Sequence, residues 1–525
     1  MTVQRTGAEG EEAPKADADR LAEGPRTSRR SFLIASGRVA SLAGLAVVLD
    51  GAVPAVASRG RGTGPSERQW RALAQSLRGE LVRPSDPSYK TVAPPYDKRY
   101  AAERPLAVVL AADTADVQTA VRFARDTRIQ PIPRSGGHSY AGYSTGSGLV
   151  ISVERMKRIS VDGSGRVHIQ PGARNRDIYA ALPAHGVVIP YGRCPTVGVG
   201  GFLLGGGFGF NSRKLGTASD NLLWTEVVTA DGEIRTASAT SEPELFWACR
   251  GGGGGNFGIN TAFIMRSHPA PSFSVYSITW KESDAVAAFE AVQQVVARAP
   301  DGFACRIGID LAGRPPHVRL SARALGQYWG PATELAALLA PVIKAAPPLT
   351  VTIRPESYVG ALRFLEDEVP IGSFTERSAY LPGLPLPPIG EFVSTAISQL
   401  RRWPGSSNGS AVGLAMFAWA GALNRVKPAA TAFVHRDASW LYVVGASWSA
   451  RDGPAGVASN LRWLDDLSDA LGVYSNGEAY QNFIDPALRD WQRAYYATNM
   501  TRLVAAKRRY DPEAIFRFAQ GIPGV

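Results

Sequence analysis

The segment Gly192-Arg193-Cys194-Pro195-Thr196-Val197-Gly198-Val199-Gly200-Gly201-Phe202-Leu203-Leu204-Gly205-Gly206-Gly207-Phe208-Gly209 carries seven glycines between positions 198 and 209. Glycine gives up more chain entropy on folding than any other residue, so such a run belongs where main chain must approach something flat or crowded. A dinucleotide fingerprint is the obvious competitor, but the run lacks GxGxxG spacing within a clear βαβ unit. Two other segments repeat the theme. One is Pro133-Arg134-Ser135-Gly136-Gly137-His138-Ser139-Tyr140, and the other is Arg250 followed by Gly251 to Gly255 and Asn256-Phe257-Gly258.

In the first of these, two glycines after a strand let backbone N–H groups converge on an anion such as a pyrophosphate, and Ser135 and Ser139 can add hydroxyl donors. Taken alone, a histidine in such a loop is more often a hydrogen-bonded structural residue.

The surrounding sequence has room for a large core. The chain of 525 residues is 45% hydrophobic and 20% charged, which predicts a globular protein of two to three domains. The formal charge of +11 comes from dispersed residues, so no nucleic-acid partner is expected. Cys194, Cys249 and Cys305 have no CxxC spacing, which gives neither a zinc pattern nor a disulfide framework, and no metal site is expected.

Periodicity organises the rest. Trp70, Leu73 and Leu77 mark a short helix, Leu106–Leu110 a buried strand, and Asp113–Thr127 a helix with Val117, Ala120, Val121 and Ala124 on one face. A strand around Ile132 runs into the Arg134 loop, and Asp231-Gly232 signals a hairpin. Up to about residue 270 the pattern is α+β with glycines at chain reversals. Beyond Pro269, long amphipathic helices at Asp284–Ala299 and Ala332–Ala346 alternate with strand patterns such as Val318–Leu325 and Trp440–Ala446. The last stretch reads as a strand, Tyr480–Ile484, then one helix from Pro486 to Tyr510.

With these segments in view, a resemblance emerges. RSGGHS, GRCPTVGVGGFLLGGGFG, LFWACRGGGGGNFG and a terminal YxNxxD with NxxRLxxxKxxYDP, spread from about residue 69 to the C-terminus, resemble the berberine bridge enzyme family of the vanillyl-alcohol-oxidase superfamily. The resemblance implies an α+β fold. It consists of a two-subdomain PCMH-type FAD-binding domain over residues 66–270 and an α+β substrate domain with an antiparallel sheet over 271–470. A C-terminal segment, 471–525, returns to the FAD domain.

It further implies an FAD-linked oxidase with the flavin held bicovalently, His138 on the 8α-methyl and Cys194 on C6. A neutral imidazole and a thiolate are nucleophiles suited to those electron-poor carbons. Flavin contacts are expected from Arg134, Ser135, Gly136, Gly137 and Ser139, from Gly198, Gly200, Gly201, Phe202 and Phe208, and from Gly255, Gly258 and Asn482. The expected chemistry is hydride transfer from a small-molecule substrate to flavin N5 with reoxidation by O2. Late tailoring of a secondary metabolite comes first, and oxidation of an alcohol, often on a sugar, comes next.

One departure bears on catalysis. Many relatives place a tyrosine general base at the last position of Tyr-x-Asn-Tyr, where this chain reads Tyr480-Gln481-Asn482-Phe483. Phe417 and Trp419 likewise stand where tyrosines are common. In a regular strand Tyr480 and Phe483 face opposite ways, so Tyr480 does not simply inherit the role. Tyr480 with Asn482, then Tyr380, are the candidate catalytic groups, and Asp485 is a further one. The loss of both usual tyrosines leaves a second reading open, a flavoprotein of the same fold that guides a cyclisation without net oxidation.

The first 57 residues look like an address. Ser28-Arg29-Arg30-Ser31-Phe32-Leu33 precedes an apolar run that ends at Ala55-Val56-Ala57. This pattern resembles a twin-arginine export signal with cleavage after Ala57. Arg38 within the run argues against a stable membrane anchor, and a periplasmic or extracellular protein is expected.

Overall fold

The computed structural model describes residues 64–367 and 372–524; the leader read above lies outside them. Four sheets organise the described residues. Strands Glu80–Val82, Ala107–Leu110, Leu149–Ser152 and Pro131–Arg134 form, in that spatial order, a small sheet whose last three strands are parallel. The crossover between Ala107–Leu110 and Pro131–Arg134 is the helix Thr114–Asp126. Asp113 caps it by accepting from the Asp116 N–H, and Val117, Ala120, Val121 and Ala124 are wholly buried. Fully burying a valine contributes about 1.5–3 kcal/mol, so the apolar face read from the sequence fixes this helix on its sheet.

A second sheet is antiparallel, in the order Ile159–Val161, Val167–Ile169, Ile259–Met265, Leu222–Val228, Ile234–Ser238. Its last two strands form the hairpin that Asp231-Gly232 signalled, with Gly232 at φ +77°. A two-stranded pairing joins Val187–Val188 to His268–Pro269.

The largest sheet has seven antiparallel strands, in the order Thr350–Glu356, Phe273–Lys281, Arg319–Tyr328, Phe303–Ala312, Ser410–Ala418, Ala438–Trp448, Ser373–Pro382. Strand alternation sorts its side chains into two buried layers. Leu381, Met416, Trp440, Tyr442 and Val444 join a core with the helices Ala285–Arg298, Ala332–Ala345, Ile389–Leu400 and Gly453–Gly472. Tyr380, Phe417, Leu441 and Val443, on the opposite face, join an aromatic cluster with Phe208, Tyr480 and Phe483. A sheet covered on both faces needs continuous apolar strands, and all eleven residues of Ala438–Trp448 are buried.

Two expectations for the C-terminal part are corrected. Tyr480–Ile484 is a turn, not a strand, with the Phe483 N–H donating to the Tyr480 carbonyl at 2.9 Å. The single helix expected over 486–510 is two helices, Trp491–Tyr496 and Met500–Tyr510. Ala497 breaks it at φ +42°, and the Asn499 side chain is drawn off to the carbonyls of Pro428 and Thr431.

The segment does return to the first part of the chain. Lys507, fully buried, donates to the carbonyls of Asn256 and Phe516 and pairs with Asp511 Oδ2 at 2.6 Å. The terminal lysine motif is therefore a pin that fastens the Asn256 glycine loop. Removing one partner of a buried pair strands the other charge. Lys507→Met is expected to cost about 3–5 kcal/mol of stability, read as a lowered urea midpoint, and a cost below about 1 kcal/mol would show that the pin is dispensable.

Candidate functional site

Close backbone contact sets the site. A Cβ on Gly136 would lie 2.4 Å from the Gly198 nitrogen, and one on Gly198 would lie 2.3 Å from the Gly136 nitrogen. The two glycine loops touch main chain to main chain, which brings His138 and Cys194 together. Thr196 Oγ1 lies 3.0 Å from His138 Nε2 and 3.3 Å from Cys194 Sγ. The loop bearing Cys194 is itself held, because Asn175 Nδ2 donates to the Cys194 carbonyl at 2.8 Å and the Tyr179 hydroxyl donates to the Gly192 carbonyl.

Every residue named above as a flavin contact lines one cavity: 134–139, Cys194, Gly198, Gly200, Gly201, Phe202, Phe208, Gly255, Gly258 and Asn482. Tyr480 lines it too, whereas Tyr380 does not. Tyr380 is sealed in the aromatic layer, stacked on His435 at 4.5 Å and edge-on to Trp419 at 5.1 Å. Phe417 and Trp419 do not line the cavity but stand behind Phe208 at 5.3 and 5.5 Å, whereas Phe208 and Phe483 are among its aromatic lining. Asp485 also falls outside the lining and pairs with Arg377 Nε at 3.4 Å.

Some of the expected polar donors are already committed. The Ser135 hydroxyl donates to the Pro171 carbonyl at 2.6 Å, and the Arg134 guanidinium is spent on the carbonyls of Ser144, Val92 and Ala93. Both residues shape the loop more than they reach into the cavity. Asn482 packs against Gly205, where a Cβ would come within 2.0 Å of Asn482 Oδ1, and its Nδ2 donates to the Phe202 carbonyl and the Tyr480 hydroxyl.

The two nucleophile positions differ in their electrostatics. Burial, reinforced by the Arg174 charge, pushes the His138 imidazole down to about 3, so it is neutral at any ordinary pH. Its Nδ1 is buried without a hydrogen-bond partner. When Nε2–H donates to Thr196 Oγ1, that Nδ1 keeps its lone pair and is the nucleophilic nitrogen of the ring. Cys194 departs from expectation, since burial raises its thiol and no preformed thiolate is present. The neighbouring Arg193 does not offset this, because it pairs with Asp367 and stacks over the Phe417 ring at 3.9 Å. Cys249 and Cys305 are buried and pushed up to about 11 and about 12, as inert core thiols.

Sequence reasoning missed several groups at or beside the cavity. Tyr96 stacks on the His138 ring at 3.7 Å from the proline-rich segment, and Thr196 sat unranked two residues from Cys194. Tyr140 and the C-terminal Arg517, Phe518 and Gln520 line the cavity itself. Only Thr196 and Tyr140 carried a signal, as members of the quoted motifs. The orphaned Nδ1, the glycine contacts and the aromatic lining together fit a flavin joined to protein at this place.

Comparison with known proteins agrees. The family model for an FAD binding domain matches residues 105–238, and the model described as berberine and berberine like matches residues 479–523. An FAD-linked oxidoreductase of Bacillus subtilis (strain 168), YgaK, is 32% identical over 85% of this chain and 97% of its own length. The chain belongs to the berberine bridge enzyme-like family of FAD-linked oxidoreductases. Within that family, a xylooligosaccharide oxidase of Thermothelomyces thermophilus is 29% identical over 83% of this chain and 90% of its own. The solved glucooligosaccharide oxidase of Acremonium strictum superposes with a TM-score of 0.77 at 26% identity, over 87% of this chain and 99% of that one. That structure is described as carrying a 6-S-cysteinyl, 8α-N1-histidyl FAD. The chain is thus an FAD-dependent oxidoreductase of mixed helix and sheet, as the resemblance implied.

The Gly136–Gly198 contact yields a direct test. Gly198→Ala forces the two loops apart and is expected to cost at least about 1–3 kcal/mol and to lower flavin content, read as the ratio of flavin to protein absorbance. Unchanged stability and colour would show that the contact can relax.

Proposed function

We propose that the protein is an exported bicovalent FAD oxidase in which His138 Nδ1 and Cys194 Sγ hold the flavin and the alcohol carbon of a carbohydrate is oxidised. The buried, partnerless Nδ1 beside a thiol that shares Thr196 is the observation that carries this reading. The paired histidyl and cysteinyl links described for the glucooligosaccharide oxidase support it. When bound, FAD supplies a two-electron acceptor at N5, with dioxygen as final oxidant.

The chain's own groups orient the reactants. Tyr480 receives the Gly207 N–H and Asn482 Nδ2, both at 3.0 Å, which leaves its hydroxyl proton free to point into the cavity. Burial pushes that phenol well above its usual range, so it donates to a bound oxygen rather than removing a proton. Phe208 and Phe483 give the apolar surface on which a sugar ring can rest. The carbohydrate class rests on the printed activities of the relatives; tailoring of a secondary metabolite is the outcome a substrate screen would return in its place.

Acid-precipitated protein is expected to stay yellow. His138→Ala and Cys194→Ala should each leave one tether, and the double variant should release all flavin to the supernatant. Flavin retained in the double variant's pellet would refute the attachment sites.

Export rests on the leader alone. Replacing Arg29 and Arg30 by lysine is expected to strand folded protein in the cytoplasm, and undiminished secretion would remove the twin-arginine reading.

A further inference from the structure

We propose that Tyr140 supplies the hydroxyl that Phe483 lacks, and that Glu376 behind it is the terminal proton acceptor of the substrate's O–H. This rests on the cavity being the flavin and alcohol site described above. As the alcohol is oxidised, the carbinol C–H leaves as hydride to the oxidised flavin and a C=O bond forms. The alcohol O–H proton passes to the Tyr140 oxygen, and the Tyr140 proton passes to the Glu376 carboxylate. Tyr140 ends unchanged, and Glu376 carries the proton.

The placement argues for it. The Tyr140 ring lies parallel to Phe483, 5.8 Å between centroids and 5° between planes, so the two rings share one wall of the cavity. Phe374 meets Tyr140 edge-on at 5.1 Å and fixes the ring from the other side. Glu376 follows Phe374 by two residues on the strand Ser373–Pro382, on the face that carries Ser378 and Tyr380 toward the aromatic layer. That places its carboxylate beside Tyr140, with which it interacts electrostatically, while Glu376 does not itself line the cavity. The phenol is therefore the connection between cavity and carboxylate.

A buried carboxylate is costly, and among the described residues Glu376 forms no salt bridge. The rival groups are spent. Asp367 pairs with Arg193 and Arg306, Asp485 pairs with Arg377, and Tyr480 already accepts two hydrogen bonds. Burial pushes Glu376 up to about 7, where it can both accept and return a proton near neutrality.

Arg193 and Arg306 oppose that rise, and Asp367 adds to it. Cys194 also acts on Tyr140. The turn Lys98–Tyr100 packs on the same strand and brings Arg99, Tyr100 and the adjoining Asp97, which accepts from the Phe374 N–H and is itself raised to about 6.

Two measurements on the holoenzyme test the relay. In pH-dependent infrared difference spectra, a protonated-carboxyl band should disappear with a midpoint near 7. The band should be absent in Glu376→Gln, shifted in Tyr140→Phe and retained in Asp97→Asn. In anaerobic rapid mixing with glucose, cellobiose or xylobiose, flavin reduction in the native protein should speed up as pH rises through that midpoint. Glu376→Gln should lose the pH dependence and about 10²-fold or more in rate, and Glu376→Asp should restore part of both. Tyr140→Phe should be slowed alike.

A carboxyl band that does not titrate between pH 6 and 8, or one indifferent to Tyr140→Phe, would overturn the relay, as would a pH limb that survives in Glu376→Gln. If none of the sugars reduces the native flavin, the carbohydrate reading fails, and the infrared result still decides the relay.

Discussion

The contact of the Gly136 and Gly198 backbones is the constraint on which the site depends. A side chain at either position would come within 2.4 Å of the opposing amide nitrogen, well inside van der Waals contact. Only because both lack one can a loop leaving the parallel sheet at Arg134 meet a loop that opens the helix Val199–Leu204. His138 and Cys194 are then neighbours through a single threonine hydroxyl. The same principle recurs at Gly205, whose missing Cβ admits Asn482 from the far end of the chain. The glycine run is thus a set of contact points and not a flexible hinge.

That logic was legible in the sequence because glycine clustering reports backbone proximity directly. The fold followed from periodicity for the same reason. Val117, Ala120, Val121 and Ala124 fall on one helix face, and the strand–turn–strand around Asp231-Gly232 forms as its turn chemistry demands. What failed was the segment Tyr480–Ile484, expected as a strand and found as a turn. The turn there is fixed by distant partners: the Tyr480 N–H donates to Ser378 Oγ, and Gln481 Nε2 donates to the Gly251 carbonyl. No local pattern carries such information. Because the segment turns, Tyr480, Asn482 and Phe483 all line the cavity, and the argument from opposite faces lapses.

The polar partners were hidden for a related reason. Tyr96 and Glu376 lie far from the glycine motifs in sequence, in a proline-rich stretch and in a strand whose burial on both faces erases the usual alternation of polar and apolar residues. In the strand Ser373–Pro382 the faces are told apart only by their partners. Leu381 belongs to the helix-covered core and Tyr380 to the aromatic layer. A glutamate in such a strand reads as an ordinary edge residue until its burial is known.

The cavity also joins residues from widely separated parts of the described chain, including its last turns. Pro133 and His138 line it together with Arg517, Phe518 and Gln520, and Gln520 Nε2 donates to the Asp485 carbonyl to hold the last turn against the Tyr480 segment. Lys507 ties that same terminal stretch to the Asn256 loop. The cavity can therefore close only after the final residues are synthesised and docked. The flavin attachment proposed at His138 and Cys194 requires this closed cavity, and so requires the folded protein.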